Sequence, residues 1–142
     1  MQRDIIHEWF YRHSPEKVWN FLTQPGLLAT WLMENDIRPE VGHQFRFKTK
    51  SRPGFDGNIF CEVLEVVPQQ RLTYTWRGGP SPGKITLDTV VTWTLTAKDG
   101  GTLLRLEHKG FRGMKNFIAY LVMNKGWQLI GKRFLQHLDT QR

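Results

Sequence analysis

The stretch TLDTVVTWTLTA, residues 86–97, alternates apolar and polar side chains more cleanly than the rest of the chain. Leu87, Val91, Trp93 and Leu95 share one face, and Asp88, Thr92, Thr94 and Thr96 share the other. A period of two is the signature of a strand with one buried and one wet face. Asp99-Gly100-Gly101 then turns the chain into a second strand, where Leu104, Leu106 and His108 lie opposite Arg105, Glu107 and Lys109. Two such strands around a tight turn make a hairpin, and hairpins in series build an antiparallel sheet.

Working back from that hairpin, the same period recurs. From Gly42 to Lys50, Phe45 and Phe47 oppose Arg46 and Lys48. Pro53-Gly54 and Asp56-Gly57 mark a loop, and a strand from Ile59 to Val67 stops at Pro68. Leu72, Tyr74 and Trp76 share a face in the next strand, which Gly78-Gly79-Pro80-Ser81-Pro82-Gly83 ends as a hairpin connection. Ile5 to Tyr11 reads as an opening strand. Ser14-Pro15-Glu16 then starts a helix: a hydroxyl cap, proline at the first helical position, and an acid near the positive end of the dipole. Val18, Trp19, Phe21 and Leu22 supply its buried stripe. Pro25-Gly26 interrupts, and Leu27 to Met33 forms a second short helix carrying Trp31.

The last third reads as one long helix. At 100° per residue, Tyr120, Met123, Trp127, Ile130, Phe134 and Leu138 fall on one face, with Lys125, Gln128, Lys132 and Gln136 opposite. Gly126 and Gly131 interrupt that helix at about 1 kcal/mol each relative to alanine. Such a cost implies either close backbone approach or room left beside Trp127. The predicted order is β-α-α-β-β-β-β-β-α, a single α+β domain over residues 1–142.

Composition narrows the partners. With 142 residues the chain can bury a core without disulfide or metal. Cys61 is the single cysteine, and Arg3, Asp4 and Glu8 break up the early apolar residues, so a cytoplasmic location is expected. No membrane insertion is expected, because the longest apolar stretch, Phe117 to Met123, is too short to span a bilayer. The net charge of +7 comes without a tight Lys/Arg run or a nucleic-acid signature, which argues for a solvated basic surface rather than a nucleic-acid partner.

Signals for chemistry are sparse. No metal-ligand spacing, Cys-x-x-Cys or phosphate-binding loop occurs, so no metal and no cofactor is expected. Among five histidines only His108 has an apolar-face parity and an interior position, which makes it the one weak catalytic candidate. Glu62 is its nearest acidic partner by strand logic. What the chain does have is six tryptophans, Trp9, Trp19, Trp31, Trp76, Trp93 and Trp127, marking nearly every element. So many flat rings build either a solid aromatic core or the walls of a cavity.

The motifs also form a recognisable ordered series. Ser-Pro-Glu-Lys-Val-Trp (14–19) is followed by Leu-Thr-Gln-Pro-Gly-Leu-Leu-Ala-Thr-Trp (22–31) and Val-Leu-Glu-Val-Val-Pro (63–68). Gln-Arg-Leu-Thr-Tyr-Thr-Trp (70–76), Thr-Trp-Thr-Leu (92–95), Leu-Glu-His-Lys-Gly-Phe (106–111) and Gly126-Trp127 complete it. The series resembles the START-like (SRPBCC) superfamily, most of all its heat-shock-protein-90 ATPase activator homologues. That resemblance implies a helix-grip fold: a curved antiparallel sheet around a long C-terminal helix, with two short helices after the first strand. It also implies a plural set of functions, from binders of lipids and aromatic natural products to cyclase-like enzymes and co-chaperone domains.

Together these readings favour a small hydrophobic or aromatic ligand held in a cavity between sheet and helix, for sensing, carriage or sequestration. Tyr74, Trp76, Trp93, Leu106, Tyr120, Met123, Trp127 and Ile130 are its expected walls, with Tyr74, His108 or Asn124 orienting the ligand. A cyclase- or hydrolase-like enzyme using pocket polar groups is the alternative. A chaperone partner is a third reading, weakened because the eukaryotic co-chaperone carries an additional N-terminal domain for which 142 residues leave no room.

Overall fold

A computed structural model describes residues 2–81 and 83–140, with side chains described for all of these except Gln2, Met114 and Lys115. The chain runs β1 (Gln2–Tyr11), α1 (Pro15–Thr23), α2 (Pro25–Trp31), β2 (Glu34–Asn35), β3 (Gln44–Lys48) and β4 (Asn58–Val67). It continues with β5 (Arg71–Gly78), β6 (Leu87–Lys98), β7 (Gly101–Arg112) and α3 (Gly113–Thr140). All neighbouring strands pair antiparallel in one seven-stranded sheet of order β1-β7-β6-β5-β4-β3-β2. β1 crosses over to pair with β7, and α3 lies along the face that β1 and β7 form. This is the helix-grip arrangement.

Local chemistry accounts for most of the element ends. The Ser14 side chain accepts from the Lys17 backbone N–H at 3.2 Å, and Pro15 occupies the first helical position. Asp99 and Gly100 both have positive φ, 49° and 77°, the primed turn whose twist suits a two-residue hairpin between β6 and β7. The second helix begins at Pro25 rather than Leu27, because Gln24 serves as its cap and proline is preorganised for the first turn. The two-residue β2 carries no period that a sequence reading could detect. Pro82, in the connection expected after β5, lies outside the described residues.

The buried side chains are those of the inward parities. Leu72, Tyr74 and Trp76 on β5, Val91, Trp93 and Leu95 on β6, and Leu104, Leu106 and His108 on β7 are all buried. α3 contributes Trp127, Phe134 and Leu138, while α1 and α2 close the far end with Val18, Phe21, Leu28 and Trp31. The two glycines of α3 have different causes. A Cβ at Gly131 would collide with the Trp9 indole, so that position needs a close backbone approach. A Cβ at Gly126 would meet nothing within 4 Å, so there the helix pays the propensity cost beside open space.

Candidate functional site

The centre of the molecule is a cluster of rings contributed by three strands, α2 and α3. Trp76, Trp93 and Trp127 are each 1% exposed or less. The Trp127 ring lies 5.5 Å from both Trp76 and Trp93, edge-on to the latter. Trp76 continues to Phe47 at 5.3 Å, and Trp31 stacks on Phe134 at 4.1 Å. These spacings are van der Waals contacts between aromatic faces and edges, the arrangement that a ring quadrupole prefers. Trp127 is therefore in direct contact with the rings of two strands.

The polar atoms within this cluster are bonded to one another. Trp127 Nε1–H donates to His108 Nδ1 at 3.0 Å, which leaves Nε2 as the protonated nitrogen of a neutral imidazole. Nε2 lies 2.7 Å from Thr89 Oγ1, and the Thr89 hydroxyl donates to the Trp76 carbonyl at 2.8 Å. Burial pushes the His108 pKa down to about 3, since a charged imidazole would lose its hydration with nothing to replace it. On the next strand, Trp93 Nε1–H donates to the Tyr74 hydroxyl at 3.0 Å, and burial raises that phenol well above its ordinary range. Among the described residues, no buried side-chain nitrogen or oxygen lacks a partner.

The structure thus brings together Tyr74, Trp76, Trp93, Leu106, His108 and Trp127 in one buried unit. Tyr120, Met123 and Ile130 are half-buried and pack against it from α3. Asn124 does not join them: its Oδ1 lies 2.8 Å from His7 Nε2, on the β1 side of the helix. Glu62 is not a partner of His108 either. It sits on β4, with β5 and β6 between it and β7, and its backbone N–H donates to Thr75 Oγ1. The register that sequence could not fix places it there. Thr89 is the residue that sequence reasoning missed, although its parity with Val91 and Trp93 on β6 was a usable signal. Cys61 is buried, and burial pushes its thiol up, which disfavours the reactive thiolate.

Beyond the sealed centre, the apolar lining continues toward one end of the sheet. Phe111 lies 4.7 Å from His108 and 5.8 Å from Tyr120. Phe55, Leu87, Tyr120 and Met123 are half-buried there, and Ile85 and Phe117 are exposed. Among the described residues, the side-chain hydrogen bonds that tie α3 to the rest of the domain are more numerous in its second half. Its second half is tied by the Tyr11 hydroxyl to the Gly131 carbonyl at 2.8 Å, by Lys17 Nζ to the Leu138 carbonyl at 2.6 Å, and by His13 to Asp139 at 2.7 Å. Its first half has the His7–Asn124 bond and the Arg3 guanidinium over the Phe117 ring at 4.9 Å.

Two surface clefts lie elsewhere. One of about 380 Å³ borders Arg46, Glu62 and Arg77, and one of about 570 Å³ borders Gln24, Asn35 and His43. Neither touches the tryptophan cluster. Among the described residues, no group of three His, Cys, Asp or Glu side chains converges as a metal site.

A curved antiparallel sheet gripping a C-terminal helix, with an aromatic interior, defines a START-like helix-grip domain. The family model described as Activator of Hsp90 ATPase homolog 1-like protein matches residues 12–139, and the chain belongs to that family. Protein MLL2253 from Mesorhizobium loti is 39% identical, with 99% of each chain covered and a TM-score of 0.88. CalU16 from Micromonospora echinospora is 24% identical over 98% of this chain and 78% of its own, with a TM-score of 0.76. The Aha1 dimer from Colwellia psychrerythraea is 19% identical over 97% of each chain, with a TM-score of 0.77. The last two share the fold. No curated protein matches the chain in sequence.

Proposed function

We propose that this domain binds a small apolar or aromatic molecule between the first half of α3 and the sheet. The observation that carries the reading is the continuous path of rings from buried Trp76, His108 and Phe111 through half-buried Tyr120 to exposed Phe117. The larger number of hydrogen bonds to the second half of α3, among the described residues, supports the same reading. In this reading the end anchored by Tyr11, Lys17 and His13 stays in place, and the end before Gly126 is the part that moves to admit the ligand.

In this reading the ligand does not replace the inner rings. It lies against Trp76, Trp127 and Phe111, under Tyr120 and Met123, where a flexible thioether suits an irregular guest. His108 holds Trp127 in place rather than acting on the ligand, since using either ring nitrogen as a base or acid would break a buried hydrogen bond.

The test is native mass spectrometry of the protein as purified, followed by tryptophan-fluorescence titration with a panel of apolar and aromatic compounds. A bound small molecule, or saturable quenching that Met123→Lys abolishes while the fold is kept, supports the proposal. No co-purifying mass and no saturable response across the panel would remove it.

A further inference from the structure

On the outer face of the sheet, the registers of β3, β4 and β5 set Arg46 across from Phe60 and Phe60 across from Arg77. Gln44 faces Glu62 in the neighbouring row. Their chain neighbours Phe45, Phe47, Ile59, Cys61 and Trp76 are buried, so these side chains point away from the core. Together with Asp36 and Thr75 they border the cleft of about 380 Å³. Thr75 shares the outward parity of Arg77 yet is only 6% exposed, which puts it at the bottom of the cleft.

Most of the charge around the cleft is engaged or balanced. Arg77 Nε donates to Asp88 at 2.8 Å, and Asp36 Oδ1 accepts from the Arg46 backbone N–H at 2.8 Å. Beyond the rim, Lys48 faces Glu34, and Arg71 is bonded to Glu65. The Thr75 hydroxyl oxygen accepts from the Glu62 backbone N–H at 2.8 Å. Among the described residues, the Arg46 guanidinium and the Glu62 carboxylate have no partner, and the Thr75 hydroxyl proton has no acceptor. Arg46 and Glu62 are diagonal neighbours across β3 and β4, about 7–8 Å apart at the backbone, and no ion pair joins them. Phe60 stands beside both and is 38% exposed. Among the described residues the cation–π contacts belong to Arg3 and Arg12, so neither arginine neighbour covers the Phe60 ring.

The free guanidinium has two carboxylates near it, those of Glu62 and Asp36, so the cleft does not suit a simple anion. It offers one group of each sign beside an open ring. We infer that this cleft binds a free amino acid with an apolar side chain. The ligand's carboxylate pairs with Arg46 and accepts the Thr75 proton, its ammonium pairs with Glu62, and its side chain lies on Phe60. A direct pair between two such solvated side chains is worth little, so it competes weakly with a ligand that carries both charges. A peptide interior has neither charge in its backbone, and a chain terminus has only one. The cleft lies on the opposite face of the sheet from the apolar ligand proposed above, and the inference does not depend on that reading.

The experiment is two-dimensional amide NMR of the full chain, titrated with L-phenylalanine to about 10 mM, with the indole N–H signals recorded in the same spectra. Saturable shifts along β3, β4 and β5 are expected, with a Kd of about 1 mM or tighter. The Trp93 and Trp127 indole signals should not move. Phenylalaninamide, which lacks the carboxylate, and N-acetylphenylalanine, which lacks the ammonium, should each bind several-fold more weakly. Arg46→Gln and Glu62→Gln should each lower affinity several-fold, while Lys132→Gln, exposed on α3, should leave it unchanged. Thermal melts check that each variant keeps the fold. The inference is overturned by the absence of saturable shifts, by equal binding of the three compounds, or by undiminished affinity in Glu62→Gln. Shifts centred on the Trp127 indole would also overturn it, since they would place the amino acid in the interior.

Discussion

His108 should make the stability of this domain fall with acidity in a window set by its own burial. The unfolded chain takes up a proton as pH drops through about 6.5, the ordinary imidazole value. The folded protein does not take it up until about pH 3, because the ring is enclosed by Trp76, Phe111 and Trp127 and already accepts from Trp127. Between those values the unfolded state binds one more proton than the native state, so acid favours unfolding. The slope approaches about 1.4 kcal/mol per pH unit, which amounts to about 2 kcal/mol between pH 7 and pH 5. Urea denaturation at those two pH values measures it. Other groups also titrate, so the informative quantity is the difference from His108→Gln, which cannot take up this proton. The variant will be less stable throughout, since it disturbs the bonds to Trp127 and Thr89, but its loss from pH 7 to pH 5 should be smaller by about 2 kcal/mol. Equal losses in the two proteins would refute the account, and would mean that the imidazole is hydrated in the native state.

Other expectations rest on single contacts. Trp127→Ala should cost about 3–5 kcal/mol in chemical denaturation, because the ring is enclosed on the sheet side. Trp127→Phe should cost about 1–3 kcal/mol, chiefly from leaving His108 Nδ1 buried without its donor. The two glycines of α3 should respond oppositely. Gly126→Ala should raise stability by about 1 kcal/mol, because the new methyl meets open space, while Gly131→Ala should lower it, because the Trp9 indole has to move. If the fluorescence titration finds a ligand, Gly126→Ala should also slow its uptake. Ser14→Ala should cost about 1 kcal/mol in thermal or urea melts through loss of the α1 cap.

The elements, their faces and the family were legible in the chain itself. A period of two put Tyr74, Trp76, Trp93, Leu106 and His108 on inward faces, and a period of 3.6 put Trp127, Phe134 and Leu138 on the buried side of α3. Those periods arise from local backbone geometry, so they survive in sequence without knowledge of any partner. The ordered motifs from Ser14 to Trp127 were enough for the family. The two glycines of α3 were legible only as a pair of alternatives; close backbone approach holds at Gly131 against Trp9, while Gly126 simply faces open space.

Tertiary structure decided everything that depends on which strands are neighbours and how the rings meet. Glu62 and His108 lie on strands of similar pattern, and only the order β7-β6-β5-β4 separates them. Asn124 turns toward His7 because α3 lies nearer β1 than the centre of the sheet. The Trp127–His108–Thr89 chain joins residues from three elements, and no spacing within any one of them encodes it. Patterning fixes which way a side chain points, because that is set within a few residues. What it points at is set by pairing between distant segments, which only the folded chain brings into contact.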